Sequence, residues 1–462
     1  MHRRLRAAAL VPIVTLSLAA CGGQPGASDP GADSRILVWT LESQPDRMAK
    51  QKAIVAKFTA KTQTQVELVG IDEAQFPQLI ASAAQSGNMP DVVGSLGLSS
   101  VWQMDGQQLV DRDAAAGVLD KLGKDTFAPG ALELTADKGQ PLSVPSDSWA
   151  QMLVYRKDLF AKAGLEAPDT YDKLRNAAKA LTKGSDFGIT LATDPGDPFT
   201  MQTFESLALG NDCQLITESG DVTLGDAKCR ATWELYGELA TQYSPQGKQD
   251  VDTTRAAYFS GNAAMVFWSA YLLDEMAGLR NDALPTCDEC ASDAAYLAKN
   301  SGIVTLIKGP DGEGSSLGEF ASWVVTEGGE KTEPAKTFVE FMLTDGYVDW
   351  LSVAPEGKFP ARNGPTAGST AYVDRWADLP AGVDRREPLS TFYSADVIAN
   401  LKKAAVTADR WALKQGQGRV LGSVSAELPV SKAVASLGSG TSPQEAMTVA
   451  TEAVAEIAKG VQ

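Results

Sequence analysis

Four of the five cysteines in this 462-residue chain lie in two pairs that are close in sequence. Cys213 and Cys229 enclose a short polar loop, and Cys287 and Cys290 form the tight sequence CDEC. Outside the cytoplasm an even number of cysteines indicates disulfides, and we expect each cysteine to bond its near neighbour. A four-cysteine zinc site or a redox pair at CDEC is the alternative, although the acids between Cys287 and Cys290 disfavour a thiolate.

Histidine chemistry is almost excluded, because the chain has a single histidine, His2, in a segment that we expect to be removed. We therefore predict no histidine-based catalysis, no metal site and no cofactor. The formal net charge is −17, from 41 basic and 58 acidic residues. A surface this acidic repels phosphate backbones and anionic lipid headgroups, so we expect neither nucleic-acid binding nor membrane binding through a basic patch.

The N-terminus is typical of an export signal. Three arginines in the first six residues precede the apolar run 7–20, which is too short to span a bilayer. The run ends in Leu-Ala-Ala before Cys21, as in a bacterial lipobox, whose cysteine is lipidated. The alternative is an ordinary signal peptide with an incidental cysteine. We predict a lipoprotein signal over 1–20 and a flexible tether over 21–33.

Local sequence patterns predict alternating strands and helices at the start of the mature chain. The expected elements are a strand at 36–39, a helix at 45–61, a strand at 66–69, a helix at 75–86 and a strand at 91–93. This order indicates a parallel sheet with crossover helices. Ligands of such sheets lie beyond the carboxyl ends of the strands, so the loops 40–44 and 94–99 are candidate binding loops.

Further along, the patterns predict more elements of both kinds, without internal repeats. They are a strand at 152–155, a helix started by Thr170, a strand at 320–325, a helix at 334–343 and a helix that follows the capping box at Ser442. The fold class is therefore α/β.

Three stretches resemble the family 1 extracellular solute-binding proteins of ABC importers, the group of maltose-binding protein. They are ILVWTLESQPDRMAKQKAIVAKFTAKTQTQVELVGI, YRKDLFAKAGLEAPDTYDKLRNAAKALT and FSGNAAMVFWSAYL. The third departs from the family pattern, because Ser269 replaces a glycine and Tyr271 replaces a tryptophan.

The resemblance implies two α/β lobes, a hinge and a ligand cleft between them. It places lobe 1 at 34–145 plus 302–348 and lobe 2 at 146–301 plus 349–462. It also implies a monomeric receptor outside the cytoplasm that delivers a sugar or oligosaccharide to importer permease subunits.

Sugars present hydroxyl edges to planar hydrogen-bonding groups and apolar ring faces to aromatic side chains. The family motifs carry such residue types onto twelve positions of this sequence. These candidate ligand contacts are Glu42, Ser43, Gln44, Asp147, Trp149, Asp197, Phe199, Trp268, Tyr271, Glu319, Trp323 and Arg362.

Several candidates have a structural alternative. Glu42 fits a solvated acid at a helix start, Asp197 fits a Pro-Gly-Asp-Pro turn, and Arg362 fits a surface ion pair. Trp39 ends an apolar strand, so we expect it in the core.

Two other classes of protein compete with a receptor. A surface-anchored glycoside hydrolase needs two carboxylates about 5–10 Å apart, but nothing in the sequence pairs any two of the acids. A purely structural surface lipoprotein would not need the hinge-and-cleft pattern that the resemblance implies.

Overall fold

The computed structural model describes residues 35–461. The predicted signal, tether and lipidated Cys21 lie outside these residues. Within them, no helix is long and apolar enough to cross a bilayer.

The first segment alternates strands and helices as predicted. It contains β1 (Arg35–Thr40), α1 (Pro45–Thr62), β2 (Gln65–Gly70), α2 (Phe76–Ser86) and β3 (Val92–Leu96). β1 lies between β2 and β3 and pairs with both in parallel. Ile36 and Val38 are fully buried and pack with Ile54 and Phe58 of α1, which explains why this short apolar run forms a central strand.

A second segment leads from β3 to the longest strand of the protein. It contains α3 (Leu98–Gly106), α4 (Arg112–Leu122), α5 (Pro129–Leu134), β4 (Ala136–Asp137), β5 (Gln140–Pro141) and β6 (Val144–Arg156). The predicted strand at 152–155 is thus the end of a 13-residue strand whose first half is polar in sequence.

The third segment builds the other lobe and returns to the first sheet. It contains α6 (Lys157–Ala163), α7 (Tyr171–Leu181), α8 (Pro198–Gly210), α9 (Ala227–Gln242), α10 (Val251–Phe259), β7 (Met265–Ser269), α11 (Leu272–Met276), α12 (Tyr296–Asn300), β8 (Ser301–Val304) and β9 (Gly318–Val325). Thr170 caps α7 as predicted, and its side chain accepts from the amide of Lys173.

The last segment crosses between lobes again and ends in helices. It contains α13 (Thr332–Met342), α14 (Tyr347–Leu351), β10 (Phe359–Pro360), α15 (Ala371–Arg375), β11 (Pro380–Ala381), β12 (Glu387–Pro388), α16 (Ala395–Val406), α17 (Gly418–Glu427), α18 (Pro429–Gly438) and α19 (Pro443–Val461). α17 packs on α3, whereas α18 and α19 pack on α9.

β6 belongs to both lobes and connects them. Its first half, from Val144 to Ala150, pairs with β9, which in turn pairs with β3 in lobe 1. Its second half pairs with β7 and β8 of lobe 2. The predicted lobe boundary falls at 145/146, while the pairing with β9 continues to Ala150.

Candidate functional site

The loops after β1 and β3 meet at the carboxyl ends of these strands. The amide of Leu41 donates to the carbonyl oxygen of Gly94 at 3.2 Å, and Ser95 Oγ donates to Glu42 Oε1 at 3.1 Å. Ser95 adopts a left-handed backbone with φ 60°, which few residues other than glycine adopt. The two predicted binding loops therefore form one surface.

A fully buried lysine lies directly beneath this surface. Lys358 Nζ is 2.5 Å from Glu42 Oε1, 3.2 Å from Asp147 Oδ1 and 4.3 Å from the centroid of the Trp350 ring. Burial opposes the charge of this ammonium, but Asp147 and Glu42 outweigh burial and raise the pKa of Lys358. We call Lys358, Glu42 and Asp147 the lysine cluster.

The two carboxylates of the lysine cluster are held differently. Burial opposes ionisation of Glu42, yet Lys358 and Arg47 lower its pKa to about 2. For Asp147 burial prevails and raises the pKa, although its carboxylate accepts from Ser146 Oγ at 2.6 Å and Trp350 Nε1 at 2.7 Å. Glu42 is thus a fixed anion at neutral pH.

Arg47 and Tyr271 contact each other across the cleft. Arg47, on α1 of lobe 1, donates to Glu42 at 2.6 Å, and its guanidinium lies over the Tyr271 ring, 5.1 Å from the centroid. Tyr271 follows β7 of lobe 2, and its ring also packs on Gly357. A methyl group at Gly357 would stand 2.0 Å from Cε1 and Cζ of this ring, so the close approach requires glycine.

A second buried cation joins the lobes further along the cleft. Arg410 forms ion pairs with Glu205 of α8 in lobe 2 and with Glu319 of β9 in lobe 1. The other oxygen of Glu319 accepts from the amide of Leu98 at 2.7 Å, at the start of α3. We call Arg410, Glu205 and Glu319 the arginine cluster.

Glu73 is a further acid near the carboxylates of the site. It is exposed and lies after β2, on the 3-10 turn 73–75. The surrounding protein raises its pKa, and so do the carboxylates of Glu319, Glu42, Asp72 and Asp197. Acids of both lobes therefore face the same space.

Three predicted contacts form a packed corner of lobe 2. Asp197 accepts from the amides of Phe199 and Val251, so it caps α8. Its own amide donates to the carbonyl of Asp194 at 3.3 Å and closes the turn that the sequence offered as an alternative. The rings of Phe199 and Trp268 are 6.1 Å apart, and both side chains are buried. Trp268 Nε1 donates to the carbonyl of Val251.

The remaining candidates near the cleft are more open. Ser43 is half-buried against Gly70, and Gln44 is exposed at the N-cap of α1. Trp149 is half-buried and lies opposite Glu319 across the β6–β9 pair. It packs at the border of two hydrophobic cores, one that contains Leu153 and one that contains Met152. Trp39 is only partly buried, so our expectation of a core position holds in part.

The structure places Trp323 and Arg362 in the core of lobe 1 instead of the cleft. Trp323 is 1% exposed and packs on Phe338 and Trp350. Arg362 donates to Thr126 Oγ1 and to the carbonyls of Leu343, Leu122 and Pro365, so it joins loops of one lobe. We therefore withdraw both residues as ligand contacts.

Five charged residues of the site were missed from the sequence: Arg47, Glu73, Glu205, Lys358 and Arg410. Arg47 and Lys358 had a signal, since Arg47 lies in the same quoted stretch as Glu42, and Lys358 lies in the stretch KFPARNGP together with Arg362. Glu205 and Arg410 lie in a helix and a loop that matched no motif.

The cysteines are joined as expected, Cys213 to Cys229 and Cys287 to Cys290. With all four sulfur atoms in disulfides, none of them is available as a zinc ligand. The Cys287–Cys290 bond is also what the oxidised form of a CxxC redox pair contains, so this alternative stands as the sequence left it. Within residues 35–461, no group of three or more candidate side chains is arranged to hold a metal ion.

The fold defines a class, that of two-lobed α/β proteins whose chain crosses between the lobes several times. The GacH receptor of Streptomyces glaucescens superposes with a TM-score of 0.69 at 20% identity, over 92% of this chain and 99% of that one. Maltose-bound MalE3 of T. maritima gives 0.69 at 18% identity, over 91% and 98%.

The chain belongs to the bacterial extracellular solute-binding protein family, whose profile matches residues 42–349. This is a family of binding proteins, not of enzymes. A putative ABC transporter periplasmic-binding protein of Escherichia coli K12, YcjN, is 28% identical over 335 residues, which cover 70% of this chain and 72% of that protein. The family membership confirms the resemblance seen in the sequence.

Proposed function

We propose that the protein binds a neutral carbohydrate between its lobes and delivers it to an ABC importer. The observation that carries the proposal is the contact between Arg47 of lobe 1 and Tyr271 of lobe 2, with carboxylates around it. A guanidinium fixed by Glu42 retains donors for hydroxyl oxygens, and Tyr271 offers an aromatic surface.

Relatives support the same class of ligand. The GacH receptor was solved with acarbose, and a protein of Arthrobacter globiformis is named for binding cyclic alpha-maltosyl-1,6-maltose. The E. coli relative is named as part of an ABC transporter.

Within this proposal the candidate residues divide into two roles. Tyr271, Arg47, Trp149, Glu73 and Gln44 are the side chains open enough to touch a solute. The lysine cluster and Glu319 form the buried base of the site and do not contact the solute directly. Their oxygen atoms already accept from protein donors.

We also propose the cellular setting. Lipidated Cys21 would hold the monomeric receptor on the outer side of the cell membrane, with 21–33 as its tether. We keep the predicted lobes, 34–145 plus 302–348 and 146–301 plus 349–462, with two changes: β8 goes to lobe 2, with which it pairs, and Trp350 and Arg362 go to lobe 1, where they pack. The permease would recognise both lobes after closure.

A thermal-shift screen with a panel of mono- and oligosaccharides tests the function. A solute that binds only the native state raises the melting temperature, and calorimetry on each hit then gives its affinity. Tyr271→Ala should weaken binding about tenfold or more, since a stacked ring with a cation contributes about 1–2 kcal/mol.

Tyr296→Ala is the matched control, because Tyr296 is also half-buried in lobe 2 with an arginine, Arg156, over its ring at 5.4 Å. The control should bind as wild type. Equal affinity of both variants would remove Tyr271 from the site, and release of cleaved sugar would replace the receptor with a hydrolase.

A further inference from the structure

α11 is a buried helix that carries charge. Its residues Leu272–Met276 are all buried, yet they include Asp274 and Glu275. A third buried carboxyl group, Glu356, lies on the 3-10 turn 355–357, which packs against α11. Three carboxyl groups thus share one region beside the cleft.

Two of these carboxyl groups have unsatisfied oxygens. Asp274 is 1% exposed and Glu356 is 3% exposed, and within residues 35–461 nothing donates to Asp274 Oδ2 or Glu356 Oε2. Glu275, by contrast, has a cationic donor, since Arg255 Nη1 lies 3.1 and 3.3 Å from its two oxygens.

The neighbouring cations are engaged elsewhere. Arg47 pairs with Glu42, Arg280 pairs with Asp282, and Lys50 donates to the carbonyl of Val353. The charged and titratable groups that interact with the three acids are Arg47, Lys50, Arg255, Arg280, Asp282 and Tyr393. The neighbouring elements also carry Asp147 on β6, Lys299 on α12 and Lys358 directly after the turn.

Buried carboxyl groups without a cation in contact retain their protons, because neighbouring negative charges and the lack of water both penalise ionisation. Burial and Glu356 raise the pKa of Asp274 well above its usual range. Burial also raises the pKa of Glu356, and that of Glu275 to about 7 despite Arg255.

The three acids are coupled to the cleft by chain connectivity. Tyr271 directly precedes α11, and Gly357 directly follows Glu356. The Tyr271 ring rests on Gly357, so any separation of α11 from the turn 355–357 moves the ring.

We propose that Asp274, Glu275 and Glu356 form a proton-dependent latch that holds Tyr271 against Gly357 and keeps the two lobes together. When the acids are protonated, α11 packs on the turn. Ionisation places repelling charges in a dry contact, so the turn and α11 separate and Arg47 loses Tyr271. The consequence for solute affinity, weaker binding as pH rises, rests on the proposed function, but the latch does not.

The raised pKa values of the three acids determine how the stability of the latch depends on pH. The folded state binds more protons than the unfolded state between the ordinary carboxyl pKa, 4.5 for glutamate, and about 7. The contribution of these acids to the free energy of unfolding is therefore greatest below 4.5 and falls as pH rises towards about 7.

The latch is tested without any solute. The double variant Asp274→Asn, Glu356→Gln mimics the protonated state with nearly the same shape, and Glu234→Gln, an exposed acid on α9, is the control. The radius of gyration is measured by X-ray scattering from about pH 5.5 to about pH 8.5, on either side of the shifted pKa. Wild type and control should expand with pH, whereas the double variant should stay compact.

Equal expansion of all three proteins, or expansion of none, would overturn the latch. Should the double variant fail to fold, Glu275→Gln alone should lower the pH dependence of the melting temperature near pH 7, and an unchanged profile would count against the latch. The outcome of this experiment is independent of the carbohydrate screen, because the scattering series contains no solute. Either proposal can therefore fail while the other holds.

Discussion

The lysine cluster and the arginine cluster both bury charged groups, but they compensate these charges with different partners. Each buries one cation between two carboxylates at the floor of the cleft. In the lysine cluster, Glu42 keeps Arg47 as a second cation and Asp147 accepts from Trp350. In the arginine cluster, Arg410 is the only cation within 4 Å of either acid among residues 35–461, and Glu205 Oε2 has no partner there.

The difference lies in what each cluster joins. Arg410 connects Glu205 of lobe 2 with Glu319 of lobe 1, so a planar guanidinium with several donors spans the two lobes. Lys358, a compact point charge, joins the loop after β1 to the connecting strand β6. The two acids of the arginine cluster share a single cation and otherwise accept only from the amides of Leu98 and Trp411, whereas Glu42 of the lysine cluster also has the cation Arg47.

Arg410→Met should have the largest effect. It leaves two buried carboxylates without a cation, and breaking such a pair costs about 5 kcal/mol. Urea unfolding followed by circular dichroism measures this loss. Arg419→Met, which removes a half-exposed partner of Asp105, is the control and should cost far less. A loss of similar size in both would mean that burial does not govern these pairs.

Lys358→Met should cost less, about 3 kcal/mol, because Glu42 retains Arg47 and Asp147 retains two neutral donors. The same urea experiment gives the value. If Lys358→Met proved more harmful than Arg410→Met, the comparison between the clusters would be reversed.

Acid should weaken the lysine cluster at a defined pH. The pKa of Glu42 falls from 4.5 to about 2 on folding, so its contribution is complete above 4.5 and is lost as pH falls through about 2. The difference corresponds to about 3 kcal/mol. Urea midpoints measured across this range should fall more steeply in wild type than in Lys358→Met. Parallel profiles would show that Lys358 does not hold the pKa of Glu42 down.

Gly357→Ala adds one methyl group beside the lysine cluster. The group would collide with the Tyr271 ring, and overpacking of this kind costs about 1–3 kcal/mol. Gly368→Ala is the control for the loss of a glycine, since its position is open, although its φ of +73° carries backbone strain of its own. Gly357→Ala should also reduce solute affinity, whereas Gly368→Ala should not. If Gly357→Ala left the affinity unchanged, the position of the Tyr271 ring would not matter for binding.

A surface ion pair gives the lower limit of the comparison. Lys57 Nζ lies 2.5 Å from Asp349 Oδ2, but both side chains are well exposed. Lys57→Met should change stability by less than about 1 kcal/mol. A larger loss would show that distance rather than burial sets the strength of these pairs.

The sequence predicted what depends on local pattern. β1, α1, β2, α2 and β3 were found because apolar runs and helix starts are local signals. The first half of β6 was missed, since Ser146, Asp147 and Ser148 look like a loop. They form a buried strand because Tyr347, Trp350 and Lys358, some 200 residues later, bond to them.

The site was predicted in part for the same reason. The motifs located Glu42, Asp147 and Tyr271, which the structure brings around Arg47 and Lys358. They could not tell a cleft side chain from a core one, as Trp323 and Arg362 demonstrate. Whether a lysine such as Lys358 is buried depends on partners distant in sequence, which no local pattern reveals.

The continuous strand β6 has a consequence for how the chain folds. The first sheet is complete only when β3 pairs with β9, as Val92 does with Val325, and β6 pairs with β10, as Asp147 does with Pro360. Neither half of the molecule is a continuous stretch, so an N-terminal fragment lacks the strands that finish its own sheet. Such distant pairings slow folding, because the entropy of closing long loops is lost before the contacts between the strands can form.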